Sequence, residues 1–169
     1  MRISAEYGIP HIASGEILRA ELDAGTELGK RVKETIERGD LVSDDLMIEL
    51  IRSRLEQPDT EAGFVLDGFP RTIVQAEALD SMFADIGKNF SVAFTLQIPD
   101  EVAFDRLRRR ARADDTDEAI QRRLDNYHRE TEPLIEFYRT RGNVVPIHAN
   151  RSENEVFAEI SRALEQVPA

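Results

Sequence analysis

Gly63-Phe64-Val65-Leu66-Asp67-Gly68-Phe69-Pro70-Arg71 joins a short apolar run to a turn that ends in an arginine. The run from Phe64 to Leu66 is typical of a strand that is buried on both faces of a parallel sheet. Open α/β sheets bind ligands beyond the carboxyl ends of their strands, and Asp67 stands at that end of the run. Gly68 permits close backbone approach, and Arg71 offers a planar set of donors that suits phosphate or carboxylate. This segment therefore predicts a ligand site at a sheet edge.

Apolar runs and helical patterns alternate along the rest of the chain. Strands are predicted near His11-Ile12 and over residues 64–66, 91–98 and 143–148. Helices are predicted over residues 14–24, 26–36, 43–55, 73–83, 99–110, 115–138 and 153–164, and residues 1–6 have the pattern of a helix end. Ser14 and Thr72 are expected to cap their helices, and Asp115 with Glu118 to open the longest one. The alternation predicts an α/β fold with a doubly wound parallel sheet and flanking helices, in a single domain over residues 1–169.

Composition limits the function classes. A net charge of −11 argues against a general nucleic-acid binder, and the sequence has neither a cysteine nor an apolar stretch of membrane-spanning length. A cytoplasmic protein without a membrane partner is expected. Against the acidic background, arginines crowd into one short region and indicate a discrete anionic ligand. They are Arg106, Arg108, Arg109, Arg110, Arg112, Arg122 and Arg123.

Four ordered motifs carry a resemblance to a known family. Leu66-Asp67-Gly68-Phe69-Pro70-Arg71 resembles the signature of adenylate kinases and their nucleoside monophosphate kinase relatives. Residues 13–19, Ala-Ser-Gly-Glu-Ile-Leu-Arg, resemble the family's entrance to the monophosphate site, and residues 39–42 resemble the loop that embraces the monophosphate nucleotide. Residues 109–115 resemble a short lid that is usually richer in glycine. The resemblance implies a P-loop-kinase-like fold, a monophosphate-binding subregion at 13–42 and a lid at 109–115.

The resemblance also implies an activity and a set of site residues. The activity is reversible phosphoryl transfer, in which ATP and AMP give two ADP, with Mg²⁺ entering as the cofactor of ATP. The residues implied for AMP are Ser14, Arg19, Asp40, Leu41, Val42, Gly68, Phe69, Pro70, Arg71, Gln75, Arg112 and Arg123. Those implied for ATP are Arg106, Arg110 and Arg151. Those implied at the transferring group are Arg71, Arg110, Arg112 and Arg123.

Two of these implied roles are more specific. Gln75 would read the adenine edge with its amide, and Asp67 would order the water shell of Mg²⁺, with no side chain binding the metal directly. An arginine-lined site suits phosphoryl transfer, because the reaction depends on positioning and charge stabilisation and a guanidinium keeps its proton.

One departure from the family pattern is serious. The family begins with a strand and a glycine-rich phosphate loop, and no Gly-x-x-x-x-Gly-Lys stretch occurs in this sequence. The central strand of the sheet is therefore expected to be missing, which would expose ladder groups and apolar surface on its neighbours. Either the start is set at an internal methionine and about twenty residues precede it, or the protein is naturally short. Very weak kinase activity is expected of the 169 residues.

Three other functions remain open. A UMP/CMP-type kinase also has a short lid, a non-catalytic AMP-binding module needs only the acceptor residues, and a structural fragment could pair its gapped sheet with another chain. With the front end restored, the chain is expected to be a monomer whose partners are AMP, ATP and ADP.

Several charged residues have simpler interpretations. Arg108, Arg109 and Arg122 are expected to be solvated, and His11, His128 and His148 to be structural. Asp114 and Asp115 either cap a helix and pair with arginines or act as a lid hinge. Ala111 and Arg109, standing in place of glycines, are expected to make the lid hinge less freely.

Overall fold

The computed structural model describes residues 2–88, 91–142 and 144–167. The helices within these ranges are α1 Arg2–Tyr7, α2 Ser14–Asp23, α3 Glu27–Arg38, α4 Asp44–Leu55, α5 Ile73–Asp85, α6 Asp100–Arg110, α7 Asp117–Asn126, α8 Pro133–Arg139 and α9 Glu153–Leu164. The strands are β1 His11–Ala13, β2 Val65–Asp67, β3 Ala93–Gln97 and β4 Val144–His148. A 3₁₀ turn spans Pro58–Thr60, and a π turn spans Tyr127–Thr131. Met1 and Asn143, which belong to the predicted first helix and fourth strand, lie outside the described residues.

The strands form two parallel pairs, β1 with β2 and β3 with β4. His11 pairs with Val65, and Ala93 pairs with Val144. Within the described ranges no strand pairing joins the two pairs, which agrees with the predicted interruption at the centre of the sheet. The parallel α/β class is confirmed.

The predicted burial of the strand at residues 64–66 is wrong. Val65 and Leu66 are half-buried and Asp67 is exposed. The reason is that β2 has a pairing partner on only one side within the described chain. Leu96 of β3 is likewise 54% exposed. The neighbours of the interruption therefore show the apolar exposure that the sequence predicts.

Two apolar clusters support the strand pairs. The larger lies beneath β1 and β2, and the fully buried Ile12, Ile51 and Leu79 join β1, α4 and α5 in it. The smaller contains Ile147 of β4 and Ile160 of α9, and Val65 of β2 packs against it. Side-chain packing at Val65 thus links the two strand pairs although no ladder joins them.

Helix starts follow local side-chain chemistry, with two corrections. Thr72 caps α5 as predicted, since its Oγ1 accepts from the amide of Gln75 at 3.2 Å. Ser14 does not cap α2, because its hydroxyl donates instead to the carbonyl of Gly68. Asp115 does not cap α7, because its carboxylate binds arginines and Thr116 takes the cap position. In both corrections a partner outside the first turn of the helix has taken the capping group, 54 positions away for Ser14 and five and eight positions away for Asp115.

The predicted long helix over residues 115–138 is divided. α7 ends at Asn126, the π turn Tyr127–Thr131 follows, and α8 begins at Pro133. Pro133 has no N–H to donate to the preceding turn, and its ring clashes with the carbonyl four residues back. The wider π turn absorbs this defect, closed by the amide of Glu132 on the carbonyl of Tyr127 at 2.8 Å. No helix of the described chain is long and apolar enough to cross a membrane.

Candidate active site

A pocket of about 390 Å³ opens at the carboxyl ends of β1 and β2. α2 begins directly after β1, and the turn 68–71 begins directly after β2, so both strands deliver their following residues to this edge. We call it the arginine pocket. Most of the predicted site residues line it: Ser14, Arg19, Asp40, Leu41, Val42, Asp67, Gly68, Arg71, Gln75, Arg110, Arg112 and Arg123.

The turn after β2 is closed around one carbonyl. The Gly68 carbonyl oxygen accepts from Ser14 Oγ and from Arg71 Nε, both at 2.8 Å. Gly68 has φ +74, and a Cβ there would lie 2.8 Å from Ser14 Oγ and 2.9 Å from Arg71 Nη2. Only glycine meets both the backbone angle and the space. Phe69 is buried beneath the turn, and its peptide bond to Pro70 is cis.

The backbone of Arg71 is held on both sides. Its amide donates to Gln75 Oε1 at 2.7 Å, and its carbonyl accepts from Thr131 Oγ1 at 2.9 Å. Burial lowers the pKa of Arg71, and the neighbouring Arg123 and Arg19 lower it further against the opposing charge of Asp67. The guanidinium remains charged, since an arginine begins far above neutrality. A fixed, poorly hydrated cation therefore faces the pocket.

Arg19 lies on α2, the helix that follows β1, and its side chain also lines the pocket. Burial lowers its pKa first, and the positive charges of Arg112 and Arg110 lower it as well. Those two side chains come from the end of α6 and the predicted lid. Neighbouring positive charges that lower one another's pKa in this way favour the binding of an anion between them.

Gln75 is buried, and each end of its amide makes one hydrogen bond to the protein. Its Oε1 accepts from the Arg71 amide, and its Nε2 donates to Asp44 Oδ1 at 2.8 Å. Thr72 Oγ1 donates to the same Asp44 oxygen at 3.0 Å. Gln75 borders the pocket, and its amide keeps a second N–H and a second oxygen lone pair with which to contact a base. Its role at the adenine edge stays a prediction.

The loop at residues 39–42 lies against α7. Gly39 ends α3 with φ +78, and a Cβ on it would lie 2.4 Å from the carbonyl oxygen of Ala119. Its own carbonyl accepts from Asn126 Nδ2 at 3.1 Å. Asp40 pairs with Arg122 at 3.6 Å. The loop backbone therefore contacts α7 directly, and no side chain fits between them.

The predicted lid closes on a buried carboxylate. Asp115 accepts from Arg110 at 2.7 and 2.9 Å and from Arg123 at 2.6 Å, and its side chain is fully buried. Burial alone raises the pKa of Asp115, but the hydrogen bonds from Arg110 and Arg123 outweigh it and lower the pKa to about 2. Asp114 accepts from Arg123 Nη2 at 2.5 Å. The predicted pairing of these two residues with arginines is confirmed, whereas the predicted capping is wrong because Thr116 caps α7. Their role as a lid hinge stays a prediction.

Some of the predicted residues lie elsewhere. Arg106 is exposed on α6, outside the lining of the pocket. Arg151 borders a second, shallow depression with His148 and Asn150, where its Nε donates to the His148 carbonyl at 3.1 Å and its guanidinium pairs with Glu159. The structure brings most of the predicted AMP set together at the arginine pocket. The predicted ATP set is dispersed, since Arg110 lines the arginine pocket, Arg151 borders the second depression and Arg106 lies outside both. Arg108 and Arg109 are exposed, as expected of solvated charges.

Sequence reasoning missed several residues that shape the pocket. The first group borders it: Glu16, Ile36, Met47 and Leu107. The second group holds its walls through hydrogen bonds: Asp44, Asn126 and Thr131. For the first group the helical pattern gave a weak signal, because Ile36 and Met47 fall on apolar helix faces. The second group acts across long sequence separations that no local pattern reveals.

The donor set for a metal is small. Asp67 is exposed at the end of β2, and its Oδ2 lies 3.1 Å from His11 Nε2. Within the described ranges no group of three or more histidines and carboxylates is arranged to hold a metal ion. One exposed carboxylate suits contact with a hydrated cation through water, since Mg²⁺ keeps several of its waters.

Comparison with known proteins gives a consistent result. The family model described as Adenylate kinase matches residues 1–143. An adenylate kinase of Phocaeicola vulgatus is 43% identical over 170 residues, covering 98% of this chain and 90% of the relative. Relatives of the same name from Acetivibrio thermocellus and Stenotrophomonas maltophilia are 35% and 41% identical, covering 98% and 96% of this chain and 90% and 89% of their own lengths.

Proposed function

The chain belongs to the adenylate kinase family, and on that premise we propose that it acts on AMP and ATP in reversible phosphoryl transfer that yields two ADP. The observation that carries the proposal is the arginine pocket. Five arginines from three parts of the chain line one cavity at the carboxyl ends of β1 and β2. They are Arg19, Arg71, Arg110, Arg112 and Arg123.

The proposed roles follow from position. Arg19 and Arg71 hold the phosphate of AMP, because they project into the pocket from α2 and from the turn 68–71, which follow β1 and β2. Arg110, Arg112 and Arg123 stabilise the charge that spreads over the transferring group, since they come from the lid and its flanking helices. Arginine suits both tasks, because its planar donors match phosphate oxygens and its proton is not lost.

Mg²⁺ is proposed to arrive with ATP, where it supplies charge neutralisation of the phosphates. Asp67 would hold the hydrated ion through water, and its exposed carboxylate fits that contact. Arg106 and Arg151 are proposed contacts of ATP, and Arg151 borders the second depression.

For the 169-residue chain itself, we propose AMP binding with very weak turnover. The sequence contains no Gly-x-x-x-x-Gly-Lys stretch, whose backbone and lysine cradle the donor phosphates in P-loop enzymes. The acceptor side, in contrast, is built from residues that the chain supplies. A non-catalytic AMP-binding module is therefore the second candidate function.

Adenine as the preferred base is proposed from Gln75, and a UMP/CMP-type kinase is the alternative. The alternative has one specific observation in its favour, since the amide of Gln75 is engaged by Asp44 and Arg71. Base choice then depends on whether those two bonds leave the remaining N–H and lone pair of the Gln75 amide directed at the base.

The test combines binding and turnover on the purified 169-residue chain. Titration with AMP, CMP, UMP and GMP should show saturable binding with AMP tightest. Magnesium-dependent ADP formation from ATP and AMP should be very slow, and Arg71→Ala should abolish AMP binding. Absence of saturable binding to any nucleotide would overturn the proposal, and tighter binding of CMP or UMP would replace it with the alternative.

The partners proposed are AMP, ATP and ADP, in a cytoplasmic protein that does not bind nucleic acid and that is a monomer when the front end is restored. A sequence without cysteine needs no oxidising compartment, and a net charge of −11 opposes contact with a polyanion. Light scattering of the chain with the front end restored checks the monomer, and the same measurement on the 169-residue chain tests whether its gapped sheet pairs with another chain.

A further inference from the structure

We propose that Asn126 and Thr131 are positioning residues that fix the two walls of the AMP pocket from behind. The inference rests on the proposed function, because it names the residues that shape that same site. One wall is the loop at residues 39–42, and the other is the turn that carries Arg71. Asn126 directly precedes the π turn and contacts the first wall, and Thr131 is the last residue of the turn and contacts the second wall.

Asn126 acts on the first wall. Its side chain is buried, its Nδ2 donates to the Gly39 carbonyl at 3.1 Å, and its Oδ1 accepts from Arg129 Nη2 at 2.6 Å. Both ends of the amide are used, and the two partners require opposite ends, so the orientation of the amide is fixed. The carbonyl that it binds belongs to the residue that begins the loop. Loss of the amide would leave that buried carbonyl without its side-chain donor.

Thr131 acts on the second wall. Its Oγ1 donates to the Arg71 carbonyl at 2.9 Å, across 60 positions of sequence. The Arg71 amide is already bound by Gln75. Thr131 and Gln75 together therefore fix both the carbonyl and the amide of Arg71, whose guanidinium is the proposed phosphate contact.

The π turn explains how one short segment reaches both walls. In an α-helix, two residues five apart differ in direction by roughly 140°. A π turn closes its ring between residues five apart, which brings them to about the same side of the helix. Asn126 and Thr131 are five apart and enclose this turn, so both side chains reach the pocket walls. An uninterrupted helix would present them in different directions.

Neither residue borders the arginine pocket, and both bind backbone carbonyls and not the groups that would touch a nucleotide. Their effect on AMP must therefore pass through Gly39 and Arg71. Arg123 lies one helical turn before Asn126 on α7. The same segment thus sets the spacing of the loop, of Arg71 and of a lid-side arginine.

The experiment measures the dissociation constant for AMP and the free energy of unfolding in parallel, on the full 169-residue chain. Asn126→Leu removes the amide at similar size, and Thr131→Val removes the hydroxyl at the same shape. Each should weaken AMP binding by about three- to tenfold, the effect of one lost hydrogen bond. Thr131→Ser keeps the hydroxyl and should retain the affinity. Asp125→Leu, at the exposed neighbouring position, is the matched control and should leave the dissociation constant unchanged.

The outcomes separate the inference from the function on which it rests. Lower stability with an unchanged dissociation constant in both Asn126→Leu and Thr131→Val would reduce the two residues to a structural role and overturn the inference. Thr131→Val tests the inference on its own if Asn126→Leu does not fold. Failure of the unaltered chain to bind AMP would overturn the proposed function, and the inference with it.

Discussion

Arg71 folds back on Gly68, with its Nε donating to the Gly68 carbonyl at 2.8 Å. The same glycine has φ +74 and has no space for a side chain beside Arg71 Nη2 and Ser14 Oγ. The position of the guanidinium therefore depends on the absence of a Cβ three residues earlier.

Gly68→Ala should displace Arg71 and weaken AMP binding. The positive φ costs an alanine about 1–2 kcal/mol of stability, and the contact with Arg71 adds to that loss. Gly25→Ala is the matched control, since Gly25 has φ +63 and open space around the added Cβ. Urea denaturation and AMP titration of both variants check the prediction. Equal losses of stability with equal AMP affinities would contradict it.

Ala111→Gly should stabilise the protein. Ala111 has φ +53, and it is the one non-glycine residue with positive φ in the part of the chain that the structure describes. Relief of this angle, less the added freedom of the unfolded chain, should raise the free energy of unfolding by about 0.5–1 kcal/mol. Ala113→Gly lacks the relief and should lower it by about 0.4–1 kcal/mol. The prediction is wrong if both variants lower it alike.

Asp115→Asn should destabilise the lid region. The substitution leaves Arg110 and Arg123 without the buried carboxylate that both contact. Breaking a buried pair costs about 3–5 kcal/mol, but both guanidiniums are partly solvated, so about 1–2 kcal/mol is expected. Asp117→Asn removes only an exposed pair with Arg108 and should cost about 0–0.5 kcal/mol. Thermal and urea unfolding measure both, and comparable losses would speak against the buried pair.

Stability should fall in acid partly through Asp115. Its pKa is lowered to about 2 in the folded state, below the value of about 3.9 in an unfolded chain. The stabilisation is therefore present above pH of about 4 and is lost as the pH falls toward 2. Unfolding measured between pH 5 and pH 2 should show a shallower decline in Asp115→Asn than in the unaltered chain. Parallel curves would exclude this contribution.

His128 should contribute to the free energy of unfolding with the opposite pH dependence to that of Asp115. Hydrogen bonds with Glu132 and Asp100, at 2.9 and 2.8 Å, raise its pKa. The contribution is therefore complete below the unfolded value of about 6.5 and is lost as the pH rises through the raised value. His128→Gln should remove this part of the decline above neutrality, and added salt should weaken it, since the three groups are exposed. His148→Gln is the control variant, and an unchanged pH profile in His128→Gln would contradict the assignment.

The architecture near the site could be predicted because its causes are local. A short apolar run followed by Asp67-Gly68 predicted the strand and its turn. Thr72 predicted the start of α5, because its hydroxyl caps the helix. The rule that ligands bind at the carboxyl ends of parallel strands predicted a site after Asp67, and the family resemblance placed Arg19 and Arg71 in it. The prediction of the arginine pocket therefore rests on local signals together with the resemblance.

What could not be predicted depends on distant partners. Ser14 has the composition of a cap, but Gly68, 54 positions away, takes its hydroxyl. Asp44 has no signal that connects it to Gln75, 31 positions away. Residues 127–131 are compatible with a continuous helix, and only the effect of Pro133 on the preceding turn produces the π turn. For Ser14 and Asp44 the competing contact is set by tertiary packing, which single-sequence patterns do not contain. The break before Pro133, in contrast, has a local cause that the sequence shows.

The carboxylate of Asp115 is an internal counterion for two arginines of the arginine pocket. Arg110 and Arg123 already carry a counterion, so an arriving phosphate group has to compete with it and gains only the difference between the two pairings. We therefore expect a phosphate group to bind more weakly than it would to unpaired guanidiniums. We also expect it to dissociate faster, because the Asp115 carboxylate re-forms its ion pairs as the phosphate leaves. For the proposed reversible transfer, which releases two molecules of ADP, such self-limited affinity would be an advantage, and it would come from a single buried oxygen shared by two cations.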